Sequence, residues 1–128
     1  MSEKQKVLIV DDDKFLLEMY RKKFIDSGFD ADIALGSLEA LSKLRGGEEP
    51  DILVLDIIMP SMDGLELLEN IRKENLSPKS KVVFLTNESD SEKIKRAEKL
   101  SITGYIVKAT SVPSEVVEEV KKLCGLTS

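Results

Sequence analysis

Val7-Leu8-Ile9-Val10-Asp11-Asp12-Asp13 sets four unbroken apolar residues directly against three carboxylates. A run this short and this apolar reads as a strand buried on both faces, and the abrupt change to acids marks its carboxyl end. The pattern recurs. Ile52-Leu53-Val54-Leu55 runs into Asp56, Val82-Val83-Phe84-Leu85 into Thr86, and Tyr105-Ile106-Val107 into Lys108. A further candidate, Phe29 to Leu35, alternates instead, with Phe29, Ala31, Ile33 and Leu35 set against Asp30, Asp32 and Ala34. Alternation of this kind marks a half-exposed edge strand.

The segments between these runs carry a helical period. After Asp13, Leu16, Met19, Tyr20 and Phe24 recur at three- and four-residue spacing, and Ser27-Gly28 supplies a stop. Ser37 to Arg45 is a second helix, closed by Gly46-Gly47. Asp63-Gly64 opens a third, with Leu65, Leu68 and Ile71 on one face. Ser89-Asp90-Ser91-Glu92 has capping-box spacing and starts a fourth, which turns Ile94, Ala97 and Leu100 inward. Ser111 or Ser114 caps a fifth, with Pro113 in its first turn and Val116, Val117, Val120 and Leu123 as its apolar face.

Strand and helix alternating five times predict an α/β domain on a parallel sheet, with right-handed crossovers placing helices on both faces. The alternating second strand belongs at an edge and the unbroken first, third and fourth strands inside, which favours the order 2-1-3-4-5. Ligands of such sheets sit beyond the carboxyl ends of the strands. There the topology gathers Asp11-Asp12-Asp13, Asp56, Thr86 and Lys108, which are remote in sequence. Two carboxylates ~5 Å apart repel by roughly 3 kcal/mol at an effective dielectric of ~20. A cluster of Asp11, Asp12 and Asp56 therefore raises a pKa or takes a cation, and oxygen-only ligands suit Mg²⁺.

Each residue also has a plain structural role available to it. Asp13 reads as the cap of the first helix and Asp63 as the cap of the third. Asp11 or Asp12 alone would pass for a loop polar, Thr86 for an ordinary strand residue, and Lys108 for a solvated strand-end lysine. Asp56 is different, because it abuts Ile52-Leu53-Val54-Leu55 and precedes Ile57-Ile58-Met59, where charge is expensive. The conjunction carries the specificity.

Composition narrows the function classes. The 128 residues fit one domain, with 34% charged and 41% hydrophobic residues as expected of a core under a solvated surface. The net charge of −5 gives no footprint for nucleic acid. No apolar run approaches the ~20 residues needed to span a bilayer, and Met1 to Lys6 followed by four apolar residues is not expected to be a signal peptide. The single cysteine, Cys124, excludes an internal disulfide and reads as a semi-buried apolar residue of the last helix.

With Val10-Asp11-Asp12-Asp13, Leu55-Asp56-Ile57-Ile58-Met59-Pro60, Asp63-Gly64, Leu85-Thr86-Asn87 and Gly104-Tyr105-Ile106-Val107-Lys108 in view, the chain resembles the receiver domain of two-component response regulators, chemotaxis regulators among them. The resemblance covers almost the whole length. It implies a single receiver domain over residues 1–128 with a flavodoxin-like fold. It also implies that Asp56 accepts a phosphoryl group and that Asp11, Asp12, Asp56 and the backbone carbonyl of Ile58 hold Mg²⁺. Lys108 would neutralise charge on the transferring group and Thr86 would donate its hydroxyl to it, while Tyr105 would turn from outward to inward as a switch.

The implied partners are a sensor histidine kinase or histidine phosphotransfer protein as donor, since the chain has no histidine, and a downstream protein target or output domain. Neither nucleic acid nor membrane is expected to be bound by this domain, a homodimer stays open, and the cytoplasm is the expected location. The domain is expected to catalyse only its own phosphorylation and dephosphorylation. The fourth helix, fifth strand and fifth helix are the implied output face. Leu17, with Phe15, is expected to meet the donor's helices, because three consecutive residues Phe15-Leu16-Leu17 cannot all face the sheet.

Ile58 and Glu88 occupy positions that tune phosphate hydrolysis in this family. Ile58 offers no hydrogen bond to an attacking water, so slow self-dephosphorylation is expected. The chain departs from the family at Ala109, where proline is common and often follows a cis bond. A cis bond before alanine costs about 3–4 kcal/mol, so the Lys108-Ala109 link is either strained by its surroundings or trans with a rearranged loop. Two other readings compete: a haloacid-dehalogenase-like phosphatase using Asp11-x-Asp13, in which Phe15 stands where Thr or Val is expected, and a receiver-shaped interaction domain that does not phosphorylate.

Overall fold

The computed structural model of the chain describes residues 4–86, 91–108 and 112–126. Strands and helices alternate throughout: β1 (Lys6–Asp11), α1 (Lys14–Asp26), β2 (Asp30–Leu35), α2 (Ser37–Arg45), β3 (Ile52–Asp56), α3 (Gly64–Lys73), β4 (Lys81–Thr86), α4 (Ser91–Glu98), β5 (Gly104–Val107) and α5 (Pro113–Leu123). The strands form one parallel five-stranded sheet in the order β2-β1-β3-β4-β5.

The apolar runs fill the middle of this sheet because a parallel strand with helices on both sides exposes neither face. Leu8, Val10, Leu53, Leu55, Val82 and Phe84 point to one side, under α2, α3 and α4. Val7, Ile9, Ile52, Val54, Val83 and Leu85 point to the other, under α1 and α5. Each such side chain contributes about 1.5–3 kcal/mol on burial. Pairing Val10 with Leu55 and Asp56 with Leu85 fixes the register, so Asp11 and Asp56 emerge together at the top of adjacent strands.

Local chemistry sets the helix ends. Asp13 accepts the Leu16 amide at 3.1 Å and starts α1. Past its end, Gly28 takes φ +95° and the Phe29 amide returns to the Phe24 carbonyl at 3.0 Å. Asp63 and Glu66 form a reciprocal capping box on α3, with bonds of 2.8 and 3.2 Å.

Several sequence expectations shift in detail. The buried stripe of α1 is Leu17, Tyr20 and Phe24, while Met19 is 51% exposed. Leu17, expected to meet a partner, belongs to the core because positions 17, 20 and 24 turn the α1 stripe onto β1 and α5. On β2, Ala34 is buried under α2 and Leu35 is exposed, which interrupts the simple alternation at the strand's top. Ser114 lies inside α5; the N-cap is Val112, whose amide donates to the Glu115 carboxylate at 3.0 Å. Ser111, Ser89 and Asp90 fall outside the described residues. Cys124 follows α5 as its buried C-cap, and burial pushes its thiol pKa up despite the nearby Lys81 ammonium.

The outer edge of β2 is closed by side chains. The Asp30 and Gly36 amides bond inward to Gln5 and Asp11 carbonyls, so Ile33 and Leu35 turn their backbone groups outward. Asp32 accepts the Ile33 amide, Glu39 accepts the Leu35 amide, and Lys43 Nζ donates to the Ile33 carbonyl at 2.7 Å and to Asp32.

Gly64 fits where no other residue can. A Cβ there would lie 2.2 Å from the Asp56 carbonyl oxygen, and the Gly64 amide donates to the Ile57 carbonyl at 2.8 Å. Gly64→Ala is expected to destabilise the protein by about 3 kcal/mol through this backbone clash. Urea unfolding followed by circular dichroism measures it, and a loss below about 1 kcal/mol would count against this packing.

Candidate functional site

β1 and β3 deliver two carboxylates into nearly dry surroundings, Asp11 at 0% and Asp56 at 4% exposure. Asp12, one residue on, is exposed. One carboxylate oxygen from each of the three lies within 4.8 Å of the others. Lys108, just past β5, reaches across with Nζ 2.8 Å from Asp11 Oδ2 and 2.9 Å from Asp56 Oδ2. The remaining oxygens take backbone donors, Asp11 Oδ1 from the Asp13 amide at 3.0 Å and Asp56 Oδ1 from the Ile58 amide at 3.2 Å.

Three carboxylates and one ammonium leave a net charge of two minus when all are ionised. The imbalance shows in proton affinities. Burial and the Asp11 charge push the Asp56 pKa up to about 6, against the pull of Lys108 and the Ile58 amide. Burial alone would depress Lys108, but its hydrogen bonds and charge pairing with Asp11 and Asp56 prevail and raise it. Beneath the site, burial pushes the Tyr20 phenol up to about 12; Lys108 opposes this, and Asp11, Asp56 and Asp13 add to it.

A two-minus cluster of oxygen donors, with no nitrogen or sulfur ligand, fits a hard divalent cation. Thr86 ends β4 beside these groups, its side chain buried at the strand end paired with Val107. Tyr105, on β5, is 46% exposed and so stands outward. The structure thus brings Asp11, Asp12, Asp56 and Lys108 together, with Thr86 on the strand next to Asp56 and Ile58 bound to it by its amide. Asn87, Glu88 and Ala109, and hence the Lys108-Ala109 bond, lie outside the described residues. A cavity of about 610 Å³ lies at the opposite end of the sheet, lined by Lys6, Asp30, Asp32 and Glu48 among others, and includes none of this constellation.

Two supports were not foreseen from sequence. The Ser37 hydroxyl donates to the Met62 carbonyl at 2.8 Å and pins the loop that follows Asp56 to the start of α2. Lys93 of α4 pairs with Asp63 at 2.9 Å. Ser37 looked only like a helix start, and nothing local in sequence pairs residues 30 apart.

The fold and this acid–lysine arrangement define a class, and the sequence pattern of the response regulator receiver domain matches residues 7–121. The chain belongs to the response regulator receiver domain family. It is 36% identical over 117 residues to the probable transcriptional regulator ycf29 of Porphyra purpurea, covering 91% of this chain and 55% of that protein. It is 31% identical over 110 residues to the chemotaxis protein CheY of Halobacterium salinarum, covering 86% of this chain and 89% of that one. The CheY-like receiver domain protein of Methanospirillum hungatei JF-1 superposes with a TM-score of 0.83 at 29% identity, covering 97% of each chain. The chain thus spans about half the length of the first relative and most of the second. Nothing in these findings favours the haloacid-dehalogenase-like reading.

The raised Asp56 pKa carries a sign. A carboxyl that holds its proton more tightly folded than unfolded costs stability once it ionises. Its contribution therefore declines as pH rises from the ordinary 3.8 through about 6, and the cost is complete above that. In chelator, Asp56→Asn is expected to stabilise the protein by about 1 kcal/mol or more near pH ~7.5, and by less near pH ~4.5. Urea midpoints of both proteins at the two pH values decide it; a destabilised variant at the higher pH would be the contrary result.

Proposed function

We propose that Asp56 is the phosphoacceptor of this receiver domain. The observation that carries the reading is a buried carboxylate at a strand end, sharing one ammonium with a second buried acid and abnormally basic for its type. A carboxylate of raised basicity in a water-poor pocket is a competent oxygen nucleophile.

Asp11, Asp12 and Asp56, with the Ile58 backbone carbonyl, would hold Mg²⁺, a role that suits their three convergent oxygens. When bound, the metal supplies positive charge to the phosphoryl oxygens. Asp56 forms the new O–P bond as the P–N bond of a phosphohistidine breaks, and the electron pair leaves with the imidazole. Lys108 already bridges Asp11 and Asp56, and on phosphorylation its ammonium pairs with a phosphoryl oxygen. Thr86 donates its hydroxyl to another. Movement at Thr86 then lets Tyr105, now outward, pack inward, a population shift driven by roughly two added negative charges.

The donor is a sensor histidine kinase or histidine phosphotransfer protein, because this chain has no histidine. The signal passes to a downstream protein or output domain through α4, β5 and α5. In this reading the domain turns over only its own phosphate and works in the cytoplasm. No helix among the described residues is long and apolar enough to cross a membrane. With Leu17 buried, Phe15 takes the donor-facing role: it is 85% exposed, two residues past Asp13.

Incubation with acetyl phosphate and Mg²⁺ is expected to add one phosphoryl group to the intact mass, and Asp56→Asn to abolish it. An unmodified wild-type mass would sink the assignment and favour a non-phosphorylating interaction domain. The modified protein should lose its label slowly, since the Ile58 side chain offers no hydrogen bond to a hydrolytic water; fast decay in the purified state contradicts that. Phe15→Asp should slow transfer from the cognate kinase at least about tenfold, as expected for truncating a hot-spot aromatic, while acetyl phosphate remains effective. Equal loss with both donors would remove Phe15 from the docking surface.

A further inference from the structure

α4 is thinly anchored. Among the described residues its fully buried side chain is Ala97, with Ile94 and, just beyond it, Leu100 only partly covered. Polar ties to α3 and its cap supplement this packing. Arg72 donates to the Leu100 and Ser101 carbonyls at 3.2 and 3.4 Å, and Arg96 lies 3.7 Å from Glu69 between exposed side chains. The shortest tie is Lys93 Nζ to Asp63 Oδ2, 2.9 Å, with both side chains partly sheltered.

The placement of Lys93 is informative. It sits in the first turn of α4, where the helix dipole disfavours a cation, so intrinsic helix stability does not account for it. Its partner spends its other oxygen capping α3 through the Glu66 amide. Asp63 precedes Gly64, whose amide holds the Ile57 carbonyl and whose missing Cβ leaves room for the Asp56 carbonyl. A short chain of contacts therefore runs from the Asp56 peptide through Gly64 and Asp63 to α4.

We propose that the Lys93–Asp63 ion pair is a latch that holds the first turn of α4 against the segment following Asp56, favouring the resting position of α4 over the switched one. The inference rests on the receiver switch proposed above for its consequence, but not for the latch itself. A partly exposed pair contributes modestly, so its removal should move the balance a few-fold without unfolding the domain.

Amide hydrogen exchange in α4 and affinity for beryllofluoride in the presence of Mg²⁺ test it. Lys93→Gln and Asp63→Asn, which keeps a capping residue, should each speed α4 exchange about two- to fivefold and tighten beryllofluoride binding by a similar factor. Lys93→Arg, which retains the charge, should stay near wild type. Unchanged exchange overturns the latch. Faster exchange with unchanged or weaker beryllofluoride binding also overturns it, because a merely structural role would not favour the switched state. If the wild type binds no beryllofluoride, the phosphoacceptor reading fails and exchange alone decides whether the pair holds α4.

Discussion

Lys108 Nζ stands 2.8 Å from Asp11 and 2.9 Å from Asp56, and the functional end of the sheet depends on this sharing. Two acids on adjacent strands, both almost without water, would otherwise repel across low-dielectric space. A single ammonium offsets part of that cost and leaves the rest as raised basicity at Asp56. The same imbalance that makes the pocket uncomfortable makes it receptive to added positive charge.

The surrounding fold delivers this geometry by register rather than by local loop design. β1, β3 and β5 end at nearly the same level, so residues 11, 56 and 108 converge although they are far apart in the chain. The loop after Asp56 is then pinned from three directions, by Ser37 at Met62, by Gly64 at Ile57 and by the capping box of Asp63 and Glu66. Rigid support on this side contrasts with the light packing of α4, whose one fully buried side chain among the described residues is Ala97. An element held by few apolar contacts can adopt a second position at modest cost.

Most of the architecture was readable from unbroken apolar runs ending in polar residues, because parallel strands buried on both faces leave that mark. The alternating strand placed β2 at an edge and favoured the strand order, which the resemblance to receiver domains supported, and Asp11, Asp12, Asp56, Thr86 and Lys108 followed from where strands end. Finer rotation was harder. Leu16, Leu17 and Met19 are all apolar, and only packing on β1 and α5 selects Leu17 as the buried one. Ala34 on β2 is small enough to read as neutral, yet it closes against α2. Long-range polar pairs such as Lys93–Asp63 and Ser37–Met62 leave no periodic trace, since neither partner's neighbours hint at the other.

The clasp of Asp32, Glu39 and Lys43 over β2 has a consequence for crowded conditions. An uncovered border strand is a template on which another molecule can continue the ladder, and from there aggregates grow. Here an incoming strand would have to displace three side chains before reaching the Ile33 and Leu35 peptides. This border of the sheet therefore resists addition of a further strand.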